Sequence, residues 1–398
     1  MKATVLPKEW ACKKLSEVST VTDRDHRTPK YTEIGYPLVS PKIFTKYGID
    51  LSNAKYVGEQ EYQDFKRKCH PENGDVLYSR IGTIGEARLV DFHQKFVALH
   101  SIALIKPKDE DIDSKYLTYL LNSPLVRRQA TANIKSIAVP DLGLKRIENF
   151  IVPIPPLDTQ RKIVAILEKA EATQRLRTEA DALTQKFLQS VFLELFGDLM
   201  TNQMGWDILS IEQCLAKIID YRGKTPHKEE KGIPLITAKL IKNGKISPPE
   251  EFISPSSYDE WMSRGLPQKG DVIFTTEGPL GEVAQIQTDD KIALAQRVLT
   301  LRGKSEMIDN TFLAHELRSE FIKRQLNRLS TGSTVKGIRQ SEFRKIRLFV
   351  PPLKIQKRFV EIVKTIEKCQ LLQQNQRSDV NYLYDSLMNK AFTGELIA

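Results

Sequence analysis

The sequence predicts an α+β protein: two similar mixed α/β domains joined by two long antiparallel coiled-coil helices, with internal pseudo-two-fold symmetry. Three observations predict it. The chain has 398 residues, too many for one ordinary core. It repeats itself at an offset of 196 or 197. Each copy ends in some forty residues of helical periodicity with no interior glycine or proline.

The repeat is legible throughout. DRDHRTP (Asp23 to Pro29) faces DYRGKTP (Asp220 to Pro226), and GYPLVSPKIF (Gly35 to Phe44) faces GIPLITAKLI (Gly232 to Ile241). GDVLYSRIGTIGEA (Gly74 to Ala87) faces GDVIFTTEGPLGEVA (Gly270 to Ala284). VPIPPLDTQRKIVAILEKAE (Val152 to Glu171) faces FVPPLKIQKRFVEIVKTIEK (Phe349 to Lys368), so Gln160 stands opposite Gln356. Solenoid units run about 20–50 residues. A unit near 197 residues is instead a whole domain, copied once.

The long helices follow from the proline pattern. Pro155-Pro156 fits a helix start, since proline is tolerated in the first turn and not inside. The helix is expected to run to about Phe196, where Gly197 supplies the C-terminal stop. Its apolar seam is read at Ile163, Ile166, Leu167, Ala170, Leu176, Ala180, Leu183, Phe187 and Val191. The second copy has Phe359, Val363, Ile366, Val380, Leu383, Leu387 and Ala391, interrupted by Gln373-Gln374-Asn375-Gln376. Forty residues make a rod of about 60 Å. Such a rod needs a partner, and the other copy is the economical one, paired antiparallel.

The globular halves read as curved sheets with long polar loops. PLVS and PLIT are buried strand starts, and DVLYSR and DVIFTT are strands entered through Gly-Asp turns. Short helices are expected at Lys115 to Ala130 and at Thr311 to Leu329.

Charge points to the partner. Lys and Arg number 60 against 50 Asp and Glu, giving +10 and a pI of about 9.2. The stretch from Pro156 to Phe196 is balanced, six basic against six acidic residues. The surplus therefore sits mainly in the globular halves, where a polyanion would dock, nucleic acid first and an anionic membrane second. The candidate DNA-binding residues of the first copy are Arg24, His26, Arg27, Thr28, Lys30, Lys42, Arg80 and Lys135. In the second they are Tyr221, Arg222, Lys224, Thr225, Lys239, Lys242, Arg297, Lys336 and Arg339. Arg and Lys suit phosphate oxygens, and the Arg fork also matches a guanine edge.

Catalytic constellations are missing. GSTVKG (Gly332 to Gly337) lacks the Lys-Thr continuation of a phosphate loop. SPPE (Ser247 to Glu250) has Glu where a base-flipping methyltransferase motif needs an aromatic residue, and no HExxH occurs. Pro140-Asp141 has no convincing Glu-x-Lys partner for a nuclease site. No metal site is expected. The cysteines Cys12, Cys69, Cys214 and Cys369 form no CxxC pair and read as reduced thiols. No apolar run spans a bilayer and no signal peptide is read, so a cytoplasmic protein is expected.

Two variable domains, each followed by a PPLxxQ-led helix, resemble the specificity (S) subunit of type I restriction-modification systems. The resemblance rests on PPLDTQRKI with PPLKIQKRF and on the DYRGKTP…GIPLITAK…GDVIFTTEGPLGE series, and it covers essentially the whole chain. It implies target-recognition domains at 1–152 and 198–350, a first long helix at 153–197 and a second at 351–398. It also implies a non-catalytic subunit in which each domain reads one half of a split double-stranded DNA sequence. Methyltransferase (M) subunits and restriction/translocase (R) subunits would be its partners. S-adenosylmethionine, ATP and Mg would belong to those partners, leaving this chain without a cofactor. The competing reading is a duplicated non-catalytic protein–protein scaffold whose basic loops are incidental; a lone nuclease would need a metal site these residues do not assemble.

Overall fold

The computed structural model describes residues 6–24, 27–67, 69–108, 111–132, 140–221, 225–332 and 335–397. It divides into two compact units: Met1–Glu179 with Gln373–Ala398, and Ala180–Leu372. Each unit therefore combines one globular half with a part of each long helix.

In the first unit an antiparallel four-stranded sheet is built from β1 (Ser19–Thr22), β3 (Val76–Ser79), β4 (Ala87–Leu89) and β6 (Ile102–Pro107), in the order β1-β6-β3-β4. A second sheet contains β2 (Tyr36–Val39) and β5 (Val97–Ala98), paired in parallel, with Lys55–Val57 and Tyr31–Thr32 completing it. The four residues of β3 are all buried because it lies inside its sheet. The second unit repeats the plan with β7 (Leu215–Asp220), β8 (Ile233–Ile236), β9 (Val272–Thr275), β10 (Val283–Gln285), β11 (Ala293–Leu294) and β12 (Val298–Gly303). Its main sheet runs β7-β12-β9-β10, and β8 pairs in parallel with β11.

The repeated Gly-Asp serves turn geometry. Gly74 and Gly270 adopt φ of 94° and 87°, which a side chain disfavours. Asp75 accepts from Glu72 N (2.7 Å) and Lys106 Nζ (2.7 Å). Asp271 accepts from Gln268 N (2.9 Å) and Arg302 Nε (2.7 Å).

Each stretch expected to hold short helices contains two. The first is Ser114–Asn122 then Pro124–Thr131, broken where Ser123 caps the next helix and Pro124 opens it. The second is Asn310–Glu316 then Glu320–Leu329, capped by Ser319.

The long helices span Leu157–Phe196 and Leu353–Ala391. Gly197 ends the first at φ 74°, its N–H bonded to Leu193 O at 2.8 Å. In the first unit Ile163, Val164 and Leu167 of the first helix share a core with Met388 and Ala391 of the second. Further along, Gln174 meets Asn381, so the two helices run antiparallel there. In the second unit Val191 and Phe196 share a core with Phe359 and Val363. Phe196 lies 4.6 Å from Phe312 and 5.4 Å from Phe359, ring centre to ring centre.

The seam differs from the sequence reading in its middle. One run of buried and half-buried positions is Ile163, Leu167, Ala170, Gln174, Arg177, Asp181, Thr184, Leu188 and Val191, spaced four and three alternately; Val164, Ile166, Glu171 and Ala180 beside it are also buried or half-buried. Leu176, Leu183 and Phe187 are exposed, as is Leu383 of the second helix. Both sets share a 3.5-residue period, and periodicity alone does not choose between neighbouring faces.

Candidate nucleic-acid interface

In each unit the loops singled out from sequence leave neighbouring strand ends. In the first, Arg80 follows β3, Asp23 and Arg24 follow β1, and His100 and Ser101 precede β6. Backbone bonds join them: Arg80 N donates to Ser101 O (2.9 Å) and Leu142 N to Arg80 O (2.8 Å). Leu99 N donates to Val39 O (2.8 Å), which brings the end of β2, and Lys42 beyond it, toward the same edge.

Arg80 is the hub of this edge and is only 5% exposed. Its guanidinium donates to Leu142 O (3.0 Å), His100 O (3.1 Å), Asp23 Oδ2 (3.1 Å) and Asp141 Oδ1 (2.8 Å). Arg24 is also buried, held by Glu61 and stacked over Phe65. Arg27 stands outside it, half exposed, 3.4 Å from both Glu61 and Asp64. Thr28, Lys30 and Lys42 are exposed.

The second unit builds the edge differently. Thr276, at the position of Arg80, donates from its N–H to Arg297 O (3.0 Å) and receives Ile338 N on its own carbonyl (2.9 Å). Ala295 N donates to Ile236 O (3.0 Å), joining the end of β8 and the Lys239 turn to this edge. Tyr221, at the position of Arg24, is buried; its hydroxyl donates to Gly265 O (2.8 Å) and accepts from Arg264 N (3.1 Å). Thr225, Lys239, Lys242, Arg297, Lys336 and Arg339 are exposed. Arg297 pairs with Glu277 at 2.9 Å, and Lys336 donates to Asn327 at 3.2 Å. His26, Lys135, Arg222 and Lys224 lie outside the described residues.

Among the described residues no cluster of His, Cys, Asp or Glu is placed to hold a metal ion, and no helix is long and apolar enough to cross a membrane. Burial pushes the Cys69 and Cys214 thiols up to about 11, so neither is a ready nucleophile.

Comparison with known proteins decides the family. The family model for the type I restriction modification DNA specificity domain matches residues 7–184 and again 206–382. The chain belongs to that family. It is 24% identical to the EcoKI specificity subunit of Escherichia coli K12, over 100% of this chain and 91% of the relative. It is 19% identical to the MjaIX specificity subunit of Methanocaldococcus jannaschii, over 98% of this chain and 94% of the relative. The fold matches a chain from a solved structure concerning assembly and conformational transition of the type I R-M system, at a TM-score of 0.63 and 19% identity, covering 98% of this chain and 100% of that one. It also matches the S subunit from M. genitalium, at a TM-score of 0.57 and 13% identity, covering 98% and 99%.

The repeated PPLxxQ by which a specificity-family chain is legible has a physical role here. Gln160 is fully buried. Its Oε1 accepts from Asp113 N (2.8 Å), and its Nε2 donates to Asp111 O (2.9 Å) and Pro155 O (2.9 Å). Gln356 repeats the arrangement with Asp309 N (2.8 Å), Met307 O (2.9 Å) and Pro351 O (2.7 Å). Each glutamine ties the start of a long helix to the loop entering the domain's first paired helix. A second tie in the first unit is Gln174, which accepts from Lys46 Nζ (3.0 Å) and donates to Asn381 Oδ1 (2.9 Å). Sequence reasoning found the repeated glutamines but not their bonds. It missed Glu61 and Glu277 and weighed Asp141 only as the start of a nuclease motif, because each of these arginine-binding carboxylates is remote in sequence from the arginine it meets.

Proposed function

We propose that this chain is the specificity subunit of a type I restriction-modification complex. It reads a bipartite target in double-stranded DNA and directs methyltransferase and restriction subunits to it. The observation that carries the reading is the match of one DNA-specificity model to both repeats. Target-recognition domains at 1–152 and 198–350 each take one half-site, and the helices at 153–197 and 351–398 set the gap. A helix of 40 residues is about 60 Å long, which caps that gap near 18 base pairs at ~3.4 Å each.

Within each half-site the exposed loop residues meet the DNA: Arg27, Thr28, Lys30 and Lys42 in the first, and Thr225, Lys239, Lys242, Arg297, Lys336 and Arg339 in the second. His26, Lys135, Arg222 and Lys224, outside the described residues, are assigned to the same DNA contact. Arg24, Arg80 and Tyr221 act by positioning those loops, since Arg24 Nη2, the Arg80 guanidinium and the Tyr221 hydroxyl are bonded to protein. The chain performs no catalysis itself. S-adenosylmethionine, ATP and Mg are carried by the partner subunits, and the complex works in the cytoplasm.

Methylome mapping of a host expressing the chain with its neighbouring methyltransferase tests this. The expected result is one motif of two specified halves at a fixed gap. A single uninterrupted motif, or no modification, would overturn the reading.

A further inference from the structure

The two domains part company at one junction of strand ends. In the second unit β7, β12 and β9 lie side by side, with Asp220 paired to Leu299 and Thr275 to Val298. Arg297 immediately precedes β12, and Glu277 lies two residues beyond β9. Their side chains pair at the surface, Arg297 Nε to Glu277 Oε1 at 2.9 Å, and remain 53% and 44% exposed. Among the described residues, Glu277 is the partner this guanidinium has.

Several details hold the pair in place. The carbonyl of Arg297 accepts from Thr276 N (3.0 Å) and Thr276 Oγ1 (3.3 Å), so its backbone is pinned. The backbone of Glu277 is bridged to Gly337, and Ile338 N donates to Thr276 O beside it. Two glycines border the pair. Gly278 has a φ of +54°, which a side chain disfavours, and a Cβ there would touch Arg297 Nη1 at an ordinary 3.4 Å. One at Gly337 would put its Cβ 3.2 Å from Glu277 Cβ and 3.3 Å from Oε2. Gly337 is the last residue of GSTVKG, the motif that failed as a phosphate loop.

An exposed ion pair contributes little to stability, so stability alone gives no reason for such a setting. What it does is restrain a guanidinium by charge. The carboxylate lies beside Nε, and among the described residues neither Nη group has a hydrogen bond, so both are available as a fork. That fork matches O6 and N7 of guanine in the major groove, a contact whose value depends on prior orientation.

The first unit has no counterpart. Ser101 stands at the position of Arg297, Ile81 at that of Glu277 and Asp141 at that of Gly337. The arginine there, Arg80, comes from a different strand and is buried against Asp23 and Asp141.

We infer that Arg297, oriented by Glu277, reads the guanine of a G·C pair in the half-site taken by the second domain. The inference rests on the function proposed above. Its test is the methylation motif of Arg297→Lys and Glu277→Gln, each in the full chain with its methyltransferase. Wild type must first yield a bipartite motif; if it does not, the proposed function fails and not this assignment alone. Given that motif, Arg297→Lys keeps the charge and loses the fork. Selectivity should then relax about 5- to 150-fold at one G·C position of one half. Glu277→Gln should relax the same position less, and the other half should stay unchanged. An unaltered motif in Arg297→Gln, relaxation at an A·T position, or loss shared between both halves would overturn the assignment. Because Lys can make an end-on contact, Arg297→Gln serves as the second variant. Each variant should match wild type in thermal unfolding, and relaxation accompanied by unfolding counts against the assignment.

Discussion

Replacing Glu316 by glutamine should remove a pH dependence built into the core of the second unit. Glu316 is fully buried. Its Oε1 accepts the Phe349 N–H at 2.5 Å, while Oε2 has no hydrogen-bond partner among the described residues. The repeat explains why a carboxyl sits there. The equivalent pair in the first unit is Leu120 with Pro153, and proline has no N–H to satisfy. Phe349 has one, and Glu316 supplies its acceptor. Burial raises the Glu316 pKa well above 4.5. The folded state therefore keeps the proton to higher pH than the unfolded chain does. Stability is fully present below about 4.5 and falls as pH rises from there toward the folded pKa. One extra bound proton corresponds to a limiting slope of about 1.4 kcal/mol per pH unit. The substituted glutamine would keep the shape and the acceptor oxygen but would not ionise. Urea unfolding of the full chain at pH 5, 6, 7 and 8, followed by the fluorescence of Trp206 and Trp261, gives both slopes. The difference between wild type and Glu316→Gln isolates this group, since other titrations cancel. Equal slopes in the two proteins would refute the reasoning.

Three further outcomes are expected. Gln160→Leu removes the acceptor for Asp113 N and the donor to two carbonyls; it should cost about 2 kcal/mol or more in thermal unfolding, and Gln356→Leu should cost a similar amount. Arg80→Ala should destabilise the chain by about 2 kcal/mol or more, because it strips partners from Asp23, Asp141 and two carbonyls. Lys42→Ala and Lys239→Ala, at exposed positions, should change stability by less than about 0.5 kcal/mol. Each should lower the slope of log affinity against log salt for duplex DNA by about one, and an unchanged slope would remove that lysine from the interface.

Much of this fold was legible in the sequence. Pro155-Pro156 and Gly197 bracket the first long helix because proline and glycine act through backbone chemistry that no tertiary context alters. The duplicated Gly-Asp and PPLxxQ pieces marked equivalent turns and helix starts. The seam's middle was not legible, since Leu176, Leu183 and Phe187 follow the same period as the polar residues that face inward. At the candidate interface, the sequence singled out loops that leave neighbouring strand ends, but not which of their side chains are buried. Arg24 and Arg80 look like solvated cations until their carboxylates arrive, Glu61 from 37 residues away and Asp141 from 61. Tyr221 looks like a hydroxyl donor for a ligand, and instead its hydroxyl bonds Gly265 and Arg264.

Helix length offers the most direct measurement. A seven-residue insertion after Ala182, matched by one after Ser378, keeps the 3.5-residue seam in phase and adds about 10 Å to each helix. Methylome mapping of a host carrying this chain with its methyltransferase should show both halves of the motif unchanged and the gap longer by about three base pairs. The same gap in the lengthened protein, or altered halves at the original gap, would contradict it.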